Sequence, residues 1–157
     1  MSAAREARAS ITLAATQPSD FDALVTIRIE AMRESLERIG RFHPGRARER
    51  FRSGFSPENT RHVVLDGERV GFVVVKPVDG GLLLDHLYVK PNLQGRGVGA
   101  AVLAQVFSEA DALSLPVGVG ALRESASNRF YVSHGFQLVE VREFDNYYVR
   151  PRKGVPT

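Results

Sequence analysis

Apolar residues recur along the chain with two different periods, and turn residues mark where one gives way to the other. The short run "ITLAA" at 11–15 predicts a first strand. Beyond Gln17-Pro18, residues Phe21, Leu24, Val25, Met32, Leu36 and Ile39 approximate one helical face. Ser19 is the expected N-cap, Asp22 stands at the capping-box position three residues on, and Gly40 suits the stop. A second helix is expected within 44–53, before "SGFSPEN" breaks it. "RHVVL" (61–65) and "RVGFVVVKP" (69–77) then flank Asp66-Gly67, a hairpin dipeptide. Asp79-Gly80-Gly81 forms the next turn, and "LLLDHLYV" (82–89) is a continuous apolar run, expected to be buried on both faces. A helix follows from Gly97 to about Ala110, then a strand in "LPVGVGALR" (115–123). "SASNRFYVSH" (125–134) predicts a short helix with Ser125 as cap and Gly135 as stop, and "FQLVEVREF" and "NYYVR" close as strands. The order β-α-α-β-β-β-α-β-α-β-β predicts an α/β protein, equally an α+β one, with a mixed sheet and helices on both faces. No internal repeat or low-complexity linker interrupts the 157 residues. A single domain is expected over 11–150, with a flexible N-terminus at 1–10 and a flexible tail at 151–157.

The densest local signal is "LYVKPNLQGRGVGAAVL", 87–103, in which Gly95, Gly97 and Gly99 alternate just before a helix. A helix start offers N–H groups with no intrahelical partner and the positive end of the dipole. Glycines let a ligand approach that backbone, so the stretch suits phosphate groups, or else it is a tight turn into an ordinary helix. A Walker A loop is absent, since no Gly-Lys-Ser/Thr occurs. Gly95-x-Gly97-x-x-Ala100 satisfies the loose dinucleotide pattern, but that pattern belongs in the first βα turn, and here at least four strands come first.

Composition narrows the chemistry. There are no cysteines, which removes disulfides, thiolate zinc sites and a cysteine nucleophile. No spacing of His, Asp and Glu resembles a metal-ligand set. The formal charge is +3 and the pI about 9.6. Arginine causes this, and Arg38, Arg41, Arg46, Arg48, Arg50 and Arg52 lie close together with Glu49 the only acid between them. Such a patch could meet an anionic ligand or nucleic acid, or be a solvated helix face. No aromatic-rich RNA motif and no helix-turn-helix signature accompanies it, so nucleic acid is not the expected partner. No run of 18 apolar residues occurs and the start lacks the apolar segment of a secretory signal, so no membrane partner and a cytoplasmic location are expected.

"Gln94-Gly95-Arg96-Gly97-Val98-Gly99" resembles the Gln/Arg-x-x-Gly-x-Gly/Ala acyl-CoA motif of the GNAT N-acetyltransferases. "LDHLYVKP" before it resembles that family's fourth strand, and "NRFYVSHGF" (128–136) its late helix and turn. The resemblance is sharp over roughly 82–136 and topological before that. One departure stands out: the family often has Asn six residues before the Tyr, and here that place holds Ser125, with Asn128 a possible substitute.

The resemblance implies acetyl-CoA as co-substrate, no metal, and transfer of the acetyl group to a primary amine of a small molecule or peptide by direct attack in a ternary complex. It implies a pyrophosphate seat at Gln94, Gly95, Arg96, Gly97, Val98, Gly99 and Ala100, a pantetheine arm along Leu87, Tyr88 and Val89, and a further contact from Asn128. Splayed fourth and fifth strands are implied too, with irregular pairing tolerated at Pro116, Gly118 and Gly120. Tyr131 occupies the family's tyrosine position, as general acid for the leaving thiolate. The backbone N–H near Leu87 is the family-like donor to the carbonyl oxygen. The acceptor must arrive as a neutral amine, which at pH 7 is only about one lysine-like molecule in a thousand. Asp85 and His86 interrupt an otherwise apolar strand and are the two candidates for its base; they point to opposite faces. A catalytically silent acyl-CoA-binding regulatory module is the alternative, since the glycine loop would serve both. Glu30 and Glu34 could orient a cationic acceptor or be a wet helix face, and Phe42, Phe51, Phe55, Tyr147 and Tyr148 could line a pocket or be core. The acceptor's identity is not readable, and the late strands could pair between subunits as easily as within one, which leaves a homodimer open.

Overall fold

The computed structural model describes residues 10–38, 40 and 43–154, without the side chains of 34–36, 38 and 44. Of the ends expected to be flexible, 1–9 and 155–157 lie outside the described residues, as do Ile39, Arg41, Phe42 and the side chains of Glu34, Leu36 and Arg38. Seven strands are described: β1 (Ile11–Ala15), β2 (Thr60–Leu65), β3 (Glu68–Val78), β4 (Gly81–Val89), β5 (Val117–Leu122), β6 (Gln137–Val141) and β7 (Asp145–Arg150). Four α-helices accompany them: α1 (Phe21–Arg38), α2 (Pro44–Gly54), α3 (Val98–Leu113) and α4 (Ser127–Ser133). Their order along the chain is the expected one. The sheet runs β1-β2-β3-β4-β5-β7-β6, with β4 and β5 parallel and the outer pairs antiparallel, so it is mixed.

Turn chemistry accounts for most boundaries. Asp66 and Gly67 both adopt positive φ, +52° and +82°, the conformation of a tight two-residue hairpin between β2 and β3. Gly135 takes φ +93° after α4, and the Phe136 N–H closes the helix end on the Tyr131 carbonyl. Two expected caps are corrected. Ser19 lies inside a 3-10 turn, Pro18–Asp20, because Pro18 presets the turn and the Asp20 carboxylate accepts from the Gln17 N–H at 2.9 Å. Ser125 does not cap α4; its hydroxyl donates back to the Leu122 carbonyl at 2.8 Å and ties the helix approach to the end of β5.

Two compact units divide the chain. The first comprises residues up to Val74 together with His86–Val102. Its core is built from Phe21, Leu24, Val25 and Ile27 of α1, Phe51 of α2, and Phe72 and Val74 of β3. Of the expected face of α1, Phe21, Leu24 and Val25 are buried and Met32 is half-buried, while Ile27, outside that face, is buried too; burial of such side chains contributes about 1.5–3 kcal/mol each. The second comprises Val75–Asp85 and the chain from Leu103 onward. Val117, Val119 and Ala121 of β5, Phe136 and Tyr148 are buried there. All five residues of β6, the last strand of the sheet, are exposed, Leu138, Val139 and Val141 among them.

Candidate functional site

In the first unit, β4 ends at Val89 and the Lys90 N–H donates to the Val70 carbonyl at 2.8 Å. A 3-10 turn, Pro91–Leu93, follows, and the Gln94 side-chain amide donates to the Val89 carbonyl at 3.0 Å, closing the loop on the strand it left. Gly95 and Gly97 then take φ of +82° and +80°, conformations a side chain would strain. The Ala101 N–H bonds the Gly97 carbonyl, so Val98, Gly99 and Ala100 form the open first turn of α3. Val98 is buried and anchors the helix; Arg96 is exposed at the mouth of the turn. Donors from a helix start, reached over residues without side chains, fit the diphosphate of an acyl carrier.

One face of β4 in the same unit carries His86 and Tyr88. His86 Nδ1 and the Tyr88 hydroxyl share a hydrogen bond of 3.2 Å. The imidazole meets Phe51 edge-on at 5.3 Å between ring centres, and Tyr88 tilts against Phe72 at 5.4 Å. Gly71 makes this possible on the neighbouring strand, since a Cβ there would collide with the Tyr88 carbonyl. Arg28 of α1 completes the group. Its guanidinium stands 5.9 Å from the Phe51 ring centre and 6.0 Å from that of Tyr88, and Nη1 donates to the Ala47 carbonyl at 3.3 Å. Its Nε is buried with no hydrogen-bond partner. Sequence reasoning missed Arg28, although one signal was there: it occupies the apolar stripe of α1 at the position between Leu24 or Val25 and Met32.

The second unit holds the remaining expected residues. β4 and β5 pair in parallel only over Leu82–Leu84 with Val117–Val119, although β5 runs on to Leu122. The expected irregularity therefore lies on that side; against β7, β5 keeps an unbroken register from Val117 to Leu122. The apolar run of β4 is buried at Leu82 and Leu84, but Asp85 is exposed and 86–89 are half-buried, which corrects the expectation of burial on both faces throughout. The Asp85 carboxylate accepts from Lys76 Nζ at 3.1 Å. Tyr131 is buried on α4 beside Phe130 and Phe136. Asn128 is fully engaged: its Nδ2 donates to the Leu122 and Ser125 carbonyls, and its Oδ1 accepts from Asn146 Nδ2 at 2.9 Å and the Tyr148 hydroxyl at 2.7 Å. It holds the start of α4 to β5 and β7.

The other polar candidates have structural surroundings. Glu30 is exposed on α1. His62, buried in the first unit, donates from Nε2 to Asp20 Oδ2 at 3.0 Å, and Arg69 meets the other carboxylate oxygen at 3.2 Å. The Gln17 N–H and His62, in that order, together with Arg69 hold the Asp20 carboxyl down at about 2. His134 sets Nδ1 2.8 Å from the Phe130 carbonyl at the end of α4. Of the arginine cluster, Arg48 pairs with Asp22 at 2.6 Å, and Arg48 and Arg52 lie over the Phe21 ring. Among the described residues no group of three or more His, Asp or Glu is placed to hold a metal, and no helix is long and apolar enough to cross a membrane.

Comparison with known proteins agrees with this geometry. The fold matches the PaiA N-acetyltransferase from Thermoplasma acidophilum, solved in complex with coenzyme A, with a TM-score of 0.74 at 16% identity over 90% of this chain and 99% of that one. An acetyltransferase from Thermus thermophilus matches with a TM-score of 0.70 at 20% identity, covering 90% and 97%. A GNAT-family acetyltransferase from Bacillus cereus matches at 0.66 with 14% identity, covering 91% and 98%. No curated protein sequence gives a significant match. The family described as acetyltransferase (GNAT) domain matches residues 58–138, more than half of the chain and the stretch that holds the glycine turn, β4 and α4. By motif, strand order and family match, this chain belongs to the GNAT acetyltransferases.

Proposed function

We propose that the protein transfers the acetyl group of acetyl-CoA to a primary amine of a small molecule or peptide, by direct attack while both are bound. The observation that carries this reading is the turn at Gly95 and Gly97, whose positive φ values open the first turn of α3 to a diphosphate. Acetyl-CoA supplies an acyl carbon already activated as a thioester. The protein's part is to bind, aim donors and move protons.

Backbone amides from Gln94 to Ala100 hold the diphosphate, with the exposed Arg96 as an added cation. Leu87, Tyr88 and Val89 present the strand edge along which the pantetheine arm lies, as an added strand would. The limited register of β4 with β5 supports this, because the ladder stops at Leu84 and Val119. The Leu87 N–H is aimed at the carbonyl oxygen, where charge develops in the transition state. Tyr131 donates its phenolic proton to the sulfur as the C–S bond breaks, releasing CoA as the thiol, and the phenolate then regains a proton from water. His86 takes the proton from the acceptor ammonium. It is preferred to Asp85, whose carboxylate is held by Lys76, because it sits in an aromatic surround beside a hydroxyl that can relay a proton.

The test is calorimetric titration of CoA and acetyl-CoA, followed by thiol release from acetyl-CoA with a panel of amines. Binding of both carriers is expected, lost in Gly97→Val; no heat with either overturns the reading. Tyr131→Phe should bind acetyl-CoA normally and lower kcat about 10²-fold or more. Acetyl-CoA binding with no amine-dependent thiol release by the native protein would make it a silent acyl-CoA-binding module instead.

A further inference from the structure

We propose that Arg28 is the seat for a carboxylate carried by the acceptor, so that the amine this protein acetylates belongs to an amino-acid-like molecule. The proposal rests on the acetyl-transfer reading above and narrows its substrate class.

Two independent observations lead to it. The first concerns charge. Arg28 is half-buried, and its partners among the described residues are one backbone carbonyl, Ala47, and the faces of Phe51 and Tyr88. None of these is an anion. A cation drawn out of water without a counter-ion is unfavourable, and folded proteins resolve this by pairing it. Elsewhere in the same unit the rule is obeyed: Arg48 has Asp22 and Arg69 has Asp20. The second concerns hydrogen bonds. Buried donors are nearly always satisfied, yet Arg28 Nε has no acceptor. With Nη1 directed at Ala47, what is left uncommitted is the edge formed by Nε and Nη2. That edge is the fork that meets a carboxylate with two parallel bonds.

Position supplies the link to the chemistry. The Tyr88 ring against which Arg28 lies is one residue beyond Leu87 and shares a hydrogen bond with His86. A carboxylate on Arg28 therefore anchors a small molecule next to the imidazole proposed to deprotonate its amine. The surrounding rings of Phe51, Phe72 and Tyr88 exclude water and strengthen that ionic contact. A recognition site with aromatic walls and a few convergent polar groups is the usual build of a small-molecule pocket.

The experiment measures thiol release from acetyl-CoA with each of the common amino acids and, in parallel, with the matching amine that lacks the carboxylate. At least one amino acid is expected to be acetylated with kcat/KM about ten- to a hundredfold above its decarboxylated counterpart, the range for a lost charged hydrogen bond. Arg28→Met should abolish that preference by raising KM for the amino acid, with KM for acetyl-CoA unchanged. Arg28→Lys, which keeps the charge but not the fork, should recover only part of it and serves as the second variant if Met disturbs folding. Equal rates with and without the carboxylate overturn the proposal. So does an amine set, phosphate-bearing or neutral, that reacts when no amino acid does, or the absence of any turnover in a protein that binds acetyl-CoA. Failure to bind acetyl-CoA at all is a separate result, read by calorimetry, and removes the acetyl-transfer reading itself.

Discussion

The first unit contains two histidine centres built on opposite terms. His62 is 1% exposed and its Nε2–H meets a carboxylate whose other oxygen meets Arg69, so its charge is paired within the chain, although its buried Nδ1 has no hydrogen-bond partner. His86 is half-buried among aromatic rings, touches a neutral hydroxyl, and has beside it, in Arg28, a cation with no anion among the described residues. The first centre ties the turn before α1 to β2. The second has a cation that no anion among the described residues pairs. A charge placed for stability is paired within its own chain, whereas one placed for a ligand is left for the ligand to pair. The distinction is physical, and substitutions can test it because the two centres should respond in different measurements.

The largest separation is expected in the rate. His86→Gln should lower kcat/KM for the amine by about 10²- to 10⁴-fold, the range for removing a general base. The melting temperature should stay within roughly 2 °C, since glutamine keeps a polar group of similar reach at a half-buried position. His62→Ala should do the reverse. It breaks a buried pair and leaves a hole, destabilising the fold by about 3 kcal/mol, or roughly 10 °C in a domain of this size. Turnover per folded molecule should not change. Denaturant unfolding and steady-state kinetics on both variants would decide it, and a large rate loss in His62→Ala would erase the contrast.

Acid gives the next largest signal. The Asp20 carboxyl sits at about 2 in the folded protein, below its ordinary value near 3.8, held there first by the Gln17 N–H and then by His62. A carboxyl depressed by folding binds its proton more readily when unfolded. Its stabilisation is complete above about pH 4 and is lost as pH falls toward 2. The melting temperature of the native protein should therefore drop across that window, and Asp20→Asn should show a lower plateau with a shallower slope there. An identical slope in Asp20→Asn would mean that other carboxylates set the acid limit.

Legibility followed the same division. Elements fixed by local chemistry were readable: Asp66-Gly67 demands positive φ in both residues, Gly135 closes α4, and Gly95 and Gly97 stand where the backbone needs them. Caps were less so. Serine was favoured at 19 and 125 for its hydroxyl, but Pro18 moved the first turn earlier and the Ser125 hydroxyl found the Leu122 carbonyl behind it. Polar residues whose meaning depends on distant partners were hardest. Asp85 and His86 were visible as breaks in an apolar strand, yet that Lys76 holds Asp85 follows from β3 and β4 lying side by side, whereas His86 and Tyr88 meet as same-face neighbours two apart on β4. Arg28 does not stand out in the sequence, because one charged residue in a helical stripe is common; the aromatic rings and the lack of a counter-ion among the described residues give it significance.

The smallest expected effect is also the sharpest test of the leftover charge. Arg69 and Arg28 are both arginines of the first unit, and both can be changed to methionine with the aliphatic stem kept. Arg69→Met removes an ion pair whose cation side is 54% exposed, so it should lower stability by no more than about 1 kcal/mol. Arg28→Met removes the cation over Phe51 and Tyr88, worth about 0.5–1 kcal/mol, and with it the desolvation of a half-buried charge that no carboxylate among the described residues offsets. The two nearly cancel, and the stem still packs on the rings. The melting temperature of Arg28→Met should therefore hold level or rise slightly, while that of Arg69→Met falls. If Arg28→Met instead loses more stability than Arg69→Met, the guanidinium braces α1 against α2 through the Ala47 carbonyl, and its unfilled edge is an accident of packing rather than a place kept for substrate.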